Sequence, residues 1–318
     1  MARLFLIIAI VFVALKMKNI KMSENEETSS MEIKSLKEEE SIELINVTEE
    51  AEVEIEKAIK NNEEYKILEE TEDDEIKELI NRIRKEKGLN EDNFAFFYYN
   101  TDLKKFYSYN ENTYFKAAST VKMPVAMLYY DKAKNNELSI DDTILYTSES
   151  YEDGAGNTSS KYSPGSRVPI SYLIKESIIY SDNTANNILM NHIGRTECRK
   201  QIAKYTEVQV SSEFYENNVV SAKIGYDFVK HLYENMEDYK ELIKYLKKSS
   251  NEEYLKKYID YDIAHKYGSY EGYEHDYGIV FGKTTYLIGV YTKDVSDSKE
   301  LIANISLKVL QNIEDSKE

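Results

Sequence analysis

The chain has 318 residues, 42% of them apolar, with 58 Asp and Glu against 41 Lys and Arg, four His and one Cys. That apolar content can fill one large domain or two ordinary ones. A net charge of −17 leaves no basic footprint for nucleic acid, and the lone Cys198 excludes an intrachain disulfide framework and a thiolate zinc cluster. Cys198 reads as a small buried hydrophobe before it reads as a reactive thiol.

The chain opens with twelve uninterrupted apolar residues, Leu4 to Leu15, followed by Lys16, Lys18 and Lys21. This run suits a signal-peptide core better than a membrane span, which needs about 20 residues. Residues 1–21 are therefore expected to direct export, or to remain as a membrane anchor if uncleaved. An extracytoplasmic protein, secreted or tethered, is the consequence. From Ser23 to Glu75 there are 21 acidic residues against 5 basic ones, which accounts for nearly all the net charge. Residues 22–71 carry too little apolar surface to offset the entropy of ordering and read as a solvated, Glu-rich, disordered linker.

Order is expected from residue 72. "TEDDEIKELINRIRKEKG" has an acidic first turn, Ile76, Leu79, Ile80 and Ile83 on one face, a basic last turn and Gly88 as a stop, all marks of a helix. "NFAFFYYN" and "KKFYSYN" form a hairpin that turns around Thr101 to Leu103. A helix opens at Ser119, and helices with polar loops continue to about residue 250. "DYDIAHKYG", "YGIVFG" and "TYLIGVYTKD" then make a three-stranded meander, and "SDSKELIANISLKVLQNI" a closing amphipathic helix. The expected class is α/β (α+β): an antiparallel sheet of about five strands built from both chain ends, flanked by the terminal helices, with an inserted all-helical lobe. The cleft between sheet and lobe is the default place for a site.

His192, His231, His265 and His275 have no metal-ligand spacing, and neither a G-x-S-x-G elbow nor a Gly-rich phosphate loop occurs. Zinc hydrolysis, an α/β-hydrolase triad and nucleotide chemistry are therefore poorly supported. Ser119 and Lys122, in "AASTVKMP", lie three apart on one helical face, with the lysine flanked by Met123, Val125 and Ala126. A desolvated lysine loses its proton readily and can act as base toward the serine hydroxyl. Alone, the pair also fits a capping serine beside a snorkelling lysine, and the same S-x-x-K spacing recurs without meaning at Ser296 to Lys299. A second element is "SDNTANN", with Ser181, Asp182 and Asn183, which reads equally as a helix cap. A third is "HKYGS", with Lys266, Tyr267, Gly268 and Ser269 at the end of a β run, where the lysine can hold a carboxylate or be an exposed edge-strand cation.

Taken jointly and in this order, S-x-x-K, S-D-N and K-x-G resemble the signature of class A β-lactamases and penicillin-binding proteins, and the likeness runs from about Asp73 to the C-terminus. The resemblance implies Ser119 as the acylated nucleophile, Lys122 as its base, Ser181 as proton shuttle, Asn183 as a substrate-amide ligand and Lys266 as the carboxylate anchor. It also places an oxyanion hole between the backbone N–H groups of Ser119 and a residue near Ser269. Two positions depart from the family. Tyr267 replaces a hydroxyl residue that assists Lys266, and a literal "KTT" at Lys283 to Thr285 falls in a turn. The E-x-x-L-N pattern that positions the deacylating water is missing from "TEVQVSSEFYENNVVSAK", where Glu213 or Glu216 is the stand-in.

The resulting expectation is an exported serine hydrolase that forms an acyl-enzyme with β-lactams over residues 72–318, with slow deacylation. The alternatives are a D-Ala-D-Ala carboxypeptidase or cell-wall amidohydrolase, and a non-catalytic binding module. The expected partner is a small β-lactam or a peptidoglycan stem peptide. No cofactor, metal or nucleic acid is expected; the chain should act as a monomer, with residues 4–15 available as a membrane tether.

Overall fold

The computed structural model describes residues 70–250 and 252–315. The apolar run, nearly all of the acidic stretch and the roles expected of them lie outside the described residues. Strand β1 (Thr71–Glu72) leads into helix α1 (Asp74–Lys87). Asp73 caps α1 by accepting from the Ile76 amide at 3.2 Å, while Arg84, Lys85 and Lys87 face the negative end of the helix. Gly88 then closes it in the left-handed region, φ 66°.

The hairpin follows as β2 (Phe94–Asn100) and β3 (Lys105–Tyr109). Asn100 fixes the turn by accepting from the Asp102 and Leu103 amides at 3.1 and 3.0 Å. Next come β4 (Phe115–Lys116), a 3-10 turn (Ala118–Val121) and α2 (Lys122–Lys134). The lobe contains β5 (Thr143–Leu145), α3 (Thr158–Lys161), β6 (Arg167–Pro169), α4 (Ile170–Ile179), α5 (Asn183–Ile193), α6 (Arg195–Ile202), α7 (Ser212–Glu216), β7 (Val219–Val220), α8 (Ala222–Glu234) and α9 (Lys240–Lys247). The chain returns through the meander β8 (Asp262–Tyr270), β9 (Tyr273–Phe281) and β10 (Thr285–Lys293) and closes with α10 (Ser298–Asp315).

The main sheet runs β1-β3-β2-β10-β9-β8, six strands where about five were expected. The extra strand is β1, which pairs parallel to β3 through Thr71↔Lys105 and Glu72↔Phe106. Two residues are too few to show a period. The small pairs β4–β7 and β5–β6 escaped notice for the same reason. All other pairings in the main sheet are antiparallel, and hairpin and meander meet in register at β2–β10. Side chains alternate across the sheet. Phe94, Phe96, Ile288 and Val290 pack with Ile80 of α1 and Ile302 of α10, whereas Ala95, Phe97, Leu287 and Tyr291 belong to the core shared with the lobe. Both faces are covered, which is why β2 is apolar almost throughout. The mixed architecture is the one expected. Among the described residues no helix is long and apolar enough to cross a membrane.

Candidate active site

Ser119 lies in the 3-10 turn, one turn ahead of α2, rather than in the α-helix itself. Several contacts hold that turn. Ala118 takes a positive φ of 48°; the Thr120 hydroxyl donates back to the Ala117 carbonyl at 2.7 Å, and the buried Tyr277 hydroxyl donates to the Thr120 carbonyl at 2.8 Å. Asn218 donates from its amide to the Ala118 carbonyl at 2.9 Å. His275 supports β4 just upstream, its Nε2 donating to the Lys116 carbonyl at 2.8 Å while Nδ1 accepts the Thr292 amide at 3.1 Å. Burial pushes this histidine down to about 4, so it is neutral and structural.

Lys122, 3% exposed, reaches 2.9 Å from Ser119 Oγ, 2.5 Å from the Ser181 carbonyl and 2.7 Å from Asn183 Oδ1, with Ser181 Oγ at 3.3 Å. Burial drives its pKa down to about 7, against the opposing pull of the Asp182 and Glu152 carboxylates. A neutral amine suits this shell. Its two N–H bonds satisfy the Ser181 carbonyl and Asn183 Oδ1, which can only accept, and its lone pair is left for the Ser119 hydroxyl.

The segment Ser181 to Asn183 is both cap and site. Asp182 accepts from the Ala185 amide at 2.8 Å and from the Thr158 amide at 2.7 Å, tying the start of α5 to the start of α3. Ser181 is held at φ 55°, a strained conformation for a residue with a Cβ, and this aims its hydroxyl between two lysines. The second is Lys266, fully buried on the edge strand β8, which donates to Ser181 Oγ at 3.1 Å and to the Tyr267 carbonyl at 3.1 Å. The exposed-cation reading of Lys266 is therefore excluded. Burial, then the neighbouring Lys122, hold its pKa well below the ordinary lysine value, with Asp276 opposing. Tyr267 stacks on Tyr254 with centroids 5.3 Å apart, and Lys266 Nζ lies 4.2 Å from the Tyr267 ring centre. The aromatic face thus supports the ammonium where a hydroxyl was expected.

Gly268 fits because a Cβ there would come within 2.9 Å of the Ala117 carbonyl oxygen and 3.1 Å of the Ser119 nitrogen. This close approach brings β8 against the 3-10 turn, so that Ser119 and Ser269 line the same cavity of about 740 Å³. The Ser269 hydroxyl is turned aside, donating to Glu274 at 2.7 Å. Lys283 and Thr284 lie in the turn between β9 and β10 and do not line this cavity.

The two stand-in carboxylates separate. Glu213 lines the cavity and Glu216 does not. Glu213 and Asn217, four residues apart across α7, both border the space in front of Ser119. The sequence there reads Glu213-Phe214-Tyr215-Glu216-Asn217, so the sought E-x-x-L-N spacing exists with glutamate at the leucine position. The glutamate at the leucine position hides it from the full pattern. Sequence reasoning also missed Glu152, which accepts from the Asn187 amide at 2.7 Å, and Arg199, which lies in a polar helix without any motif. Among the described residues no group of three or more His, Cys, Asp or Glu is arranged to hold a metal.

A sheet built from both chain ends, a helical insert and a Ser–Lys–Ser constellation between them define the fold of the penicillin-recognising serine hydrolases. Residues 72–313 match the Beta-lactamase enzyme family, and the chain belongs to that family. Among solved structures it is similar to a point variant of PBP-A captured as an acyl-enzyme complex with penicillin G, at 19% identity and TM-score 0.69, covering 78% of this chain and 99% of that one. It is also similar to a point variant of the TLA-1 extended-spectrum β-lactamase, at 21% identity and TM-score 0.66 over 76% and 98% of the two chains. A β-lactamase from Sphaerobacter thermophilus aligns at 20% identity and TM-score 0.63 over 73% and 95%. No curated protein sequence matches significantly.

Proposed function

We propose that the protein is an extracytoplasmic serine hydrolase that opens β-lactam rings through an acyl-enzyme on Ser119. One observation carries this reading: a buried lysine whose pKa falls near neutrality, 2.9 Å from the serine hydroxyl. Ser119 Oγ attacks the lactam carbonyl carbon while Lys122 takes its proton. The oxyanion forms between the amides of Ser119 and Ser269. As the C–N bond breaks, the ring nitrogen takes a proton from Ser181, which Lys122 replenishes. Lys266 holds the substrate carboxylate and Asn183 Nδ2 its side-chain amide, since Asn183 Oδ1 already serves Lys122. Export rests on the apolar run Leu4–Leu15 at the head of an acidic linker, with the catalytic domain over residues 72–318.

Hydrolysis of the ester then needs a carboxylate that holds a water. Glu213 is in the cavity but exposed, and among the described residues its carboxylate has no hydrogen-bond partner. This favours a long-lived acyl-enzyme, closer to penicillin binding than to rapid hydrolysis. Intact-mass spectrometry after exposure to benzylpenicillin tests the proposal. A one-equivalent adduct lost in Ser119→Ala supports it, and an adduct persisting in that variant removes Ser119 as the nucleophile.

A further inference from the structure

Arg199 is a buried guanidinium without an anion. It is 7% exposed, its Nη1 is enclosed without a hydrogen bond, and Nη2 has only the Asn218 amide oxygen at 3.5 Å. Among the described residues no carboxylate forms an ion pair with it. Burial pulls its pKa down from the usual arginine value, with Cys198 opposing and Arg195 adding to the fall. A buried, uncompensated cation is costly, and native folds rarely keep one without a counter-ion.

Its neighbour makes the imbalance larger. Arg195 stands one turn earlier on α6, so two like charges sit at i and i+4, and Arg195 occupies the positive end of the helix. Arg195 Nε donates to Asn191 Oδ1 at 2.9 Å, leaving both Nη groups for another ligand. Both arginines line the cavity that holds Ser119, on the wall formed by the lobe, whereas Tyr267 and Ser269 line it from β8. Glu213 and Glu152, the acidic residues of the lining, pair with neither arginine.

We propose that Arg199 and Arg195 form an anion subsite for the acyl side of the substrate, so that the cleft selects substrates carrying two anionic groups. This rests on the acyl-enzyme reading of Ser119. Lys266 takes the carboxylate on the leaving-group side of the scissile bond, and the acyl portion extends from Ser119 toward the lobe. A second carboxylate there would receive charge-assisted hydrogen bonds from Arg199 Nη2, displacing the weak Asn218 contact, and from Arg195. The substrate class is a β-lactam or C-terminal peptide with an acidic acyl-side substituent.

Benzylpenicillin and its derivative bearing a carboxylate on the side-chain α carbon differ by the group in question. With the full chain, the second-order acylation rate constant should be about tenfold higher for the carboxylated compound at low salt, a factor typical of one charge-assisted hydrogen bond. The preference should shrink in high salt and fall close to unity in Arg199→Gln. Arg195→Gln, at an exposed position, should reduce it in part and covers the case in which Arg199→Gln fails to fold. Equal rates in the native protein, or a preference that survives both substitutions, overturn the subsite. Non-covalent binding of the two compounds to Ser119→Ala separates the two readings. If the native protein is acylated by neither compound while Ser119→Ala still binds the carboxylated one about tenfold tighter, the acyl-enzyme reading fails and the anion subsite stands. Equal binding to Ser119→Ala overturns it.

Discussion

Lys122 and Lys266, two buried lysines from opposite sides of the cleft, meet on one hydroxyl: Ser181 Oγ lies 3.3 Å from Nζ of the first and 3.1 Å from Nζ of the second. Two such groups cannot both remain charged cheaply in a dry site. Lys122, with two acceptor-only neighbours and a hydroxyl, is the one arranged to be neutral. Acylation by benzylpenicillin should therefore rise with pH along a single ionisation near 7, the value to which burial brings Lys122. Lys266→Met should leave this midpoint near 7, because burial sets it, while binding of the substrate carboxylate weakens. A midpoint displaced in that variant would show that Lys266, and not burial alone, sets the ionisation of Lys122.

The same depressed pKa makes a stability prediction of definite sign. Lys122 titrates near 7 in the folded protein and near about 10.4 when unfolded. Between these values the unfolded chain binds the extra proton, so folding stability rises with pH over that window. Below 7 the cost of burying the amine is complete, on the order of 5 kcal/mol from this shift. Denaturant unfolding of native protein and Lys122→Met at pH 6.5 and 9.5 should give a difference that narrows at the higher pH. A gap independent of pH would mean that Lys122 keeps its charge in the fold.

Gly268 is where the sheet touches the catalytic turn. In Gly268→Ala the new Cβ would approach the Ala117 carbonyl oxygen to 2.9 Å and the Ser119 nitrogen to 3.1 Å, and both are backbone atoms that cannot swing aside. Overpacking of this kind costs about 1–3 kcal/mol, and the displaced turn misaligns the Ser119 amide with that of Ser269. We expect the protein to fold and its acylation rate to fall by about 10²-fold, the loss typical of one oxyanion donor. Near-native acylation in Gly268→Ala would place the oxyanion elsewhere.

Much of this arrangement is legible in the sequence because chemistry and folding use the same residues. Asp182 is a good cap by type, and it caps α5 while fixing the turn that presents Ser181. The hairpin and meander follow from aromatic and β-branched runs between turn residues. Less visible is anything set by a long-range contact of a few residues. The strand Thr71–Glu72 has no period of its own, and the positive φ of Ala118 and Ser181 depends on contacts with Tyr277, Asn218 and the two lysines. Lys266 could be read as exposed because an edge strand usually shows one face to water; here the lobe covers it. Arg199 has no local signal at all, since its meaning lies in the missing counter-ion.

The fate of the acyl-enzyme depends on Glu213. It borders the cavity with Asn217 and sits at the first position of the spacing sought for a deacylating base, but α7 is only five residues long and leaves the side chain exposed. A base held in place typically contributes about 10²–10⁴-fold; a loosely held carboxylate contributes less, so the ester should persist after a one-equivalent burst. Glu213→Gln should lengthen its lifetime further, and Glu216→Gln, outside the cavity lining, should leave it unchanged. Intact-mass time courses after rapid removal of free penicillin measure both. Fast turnover abolished by Glu213→Gln would show that solution conditions hold this carboxylate and its water more firmly than its exposed position implies. Equal lifetimes in all three proteins would exclude Glu213 from deacylation, leaving uncatalysed attack of water as the route by which Ser119 is regenerated.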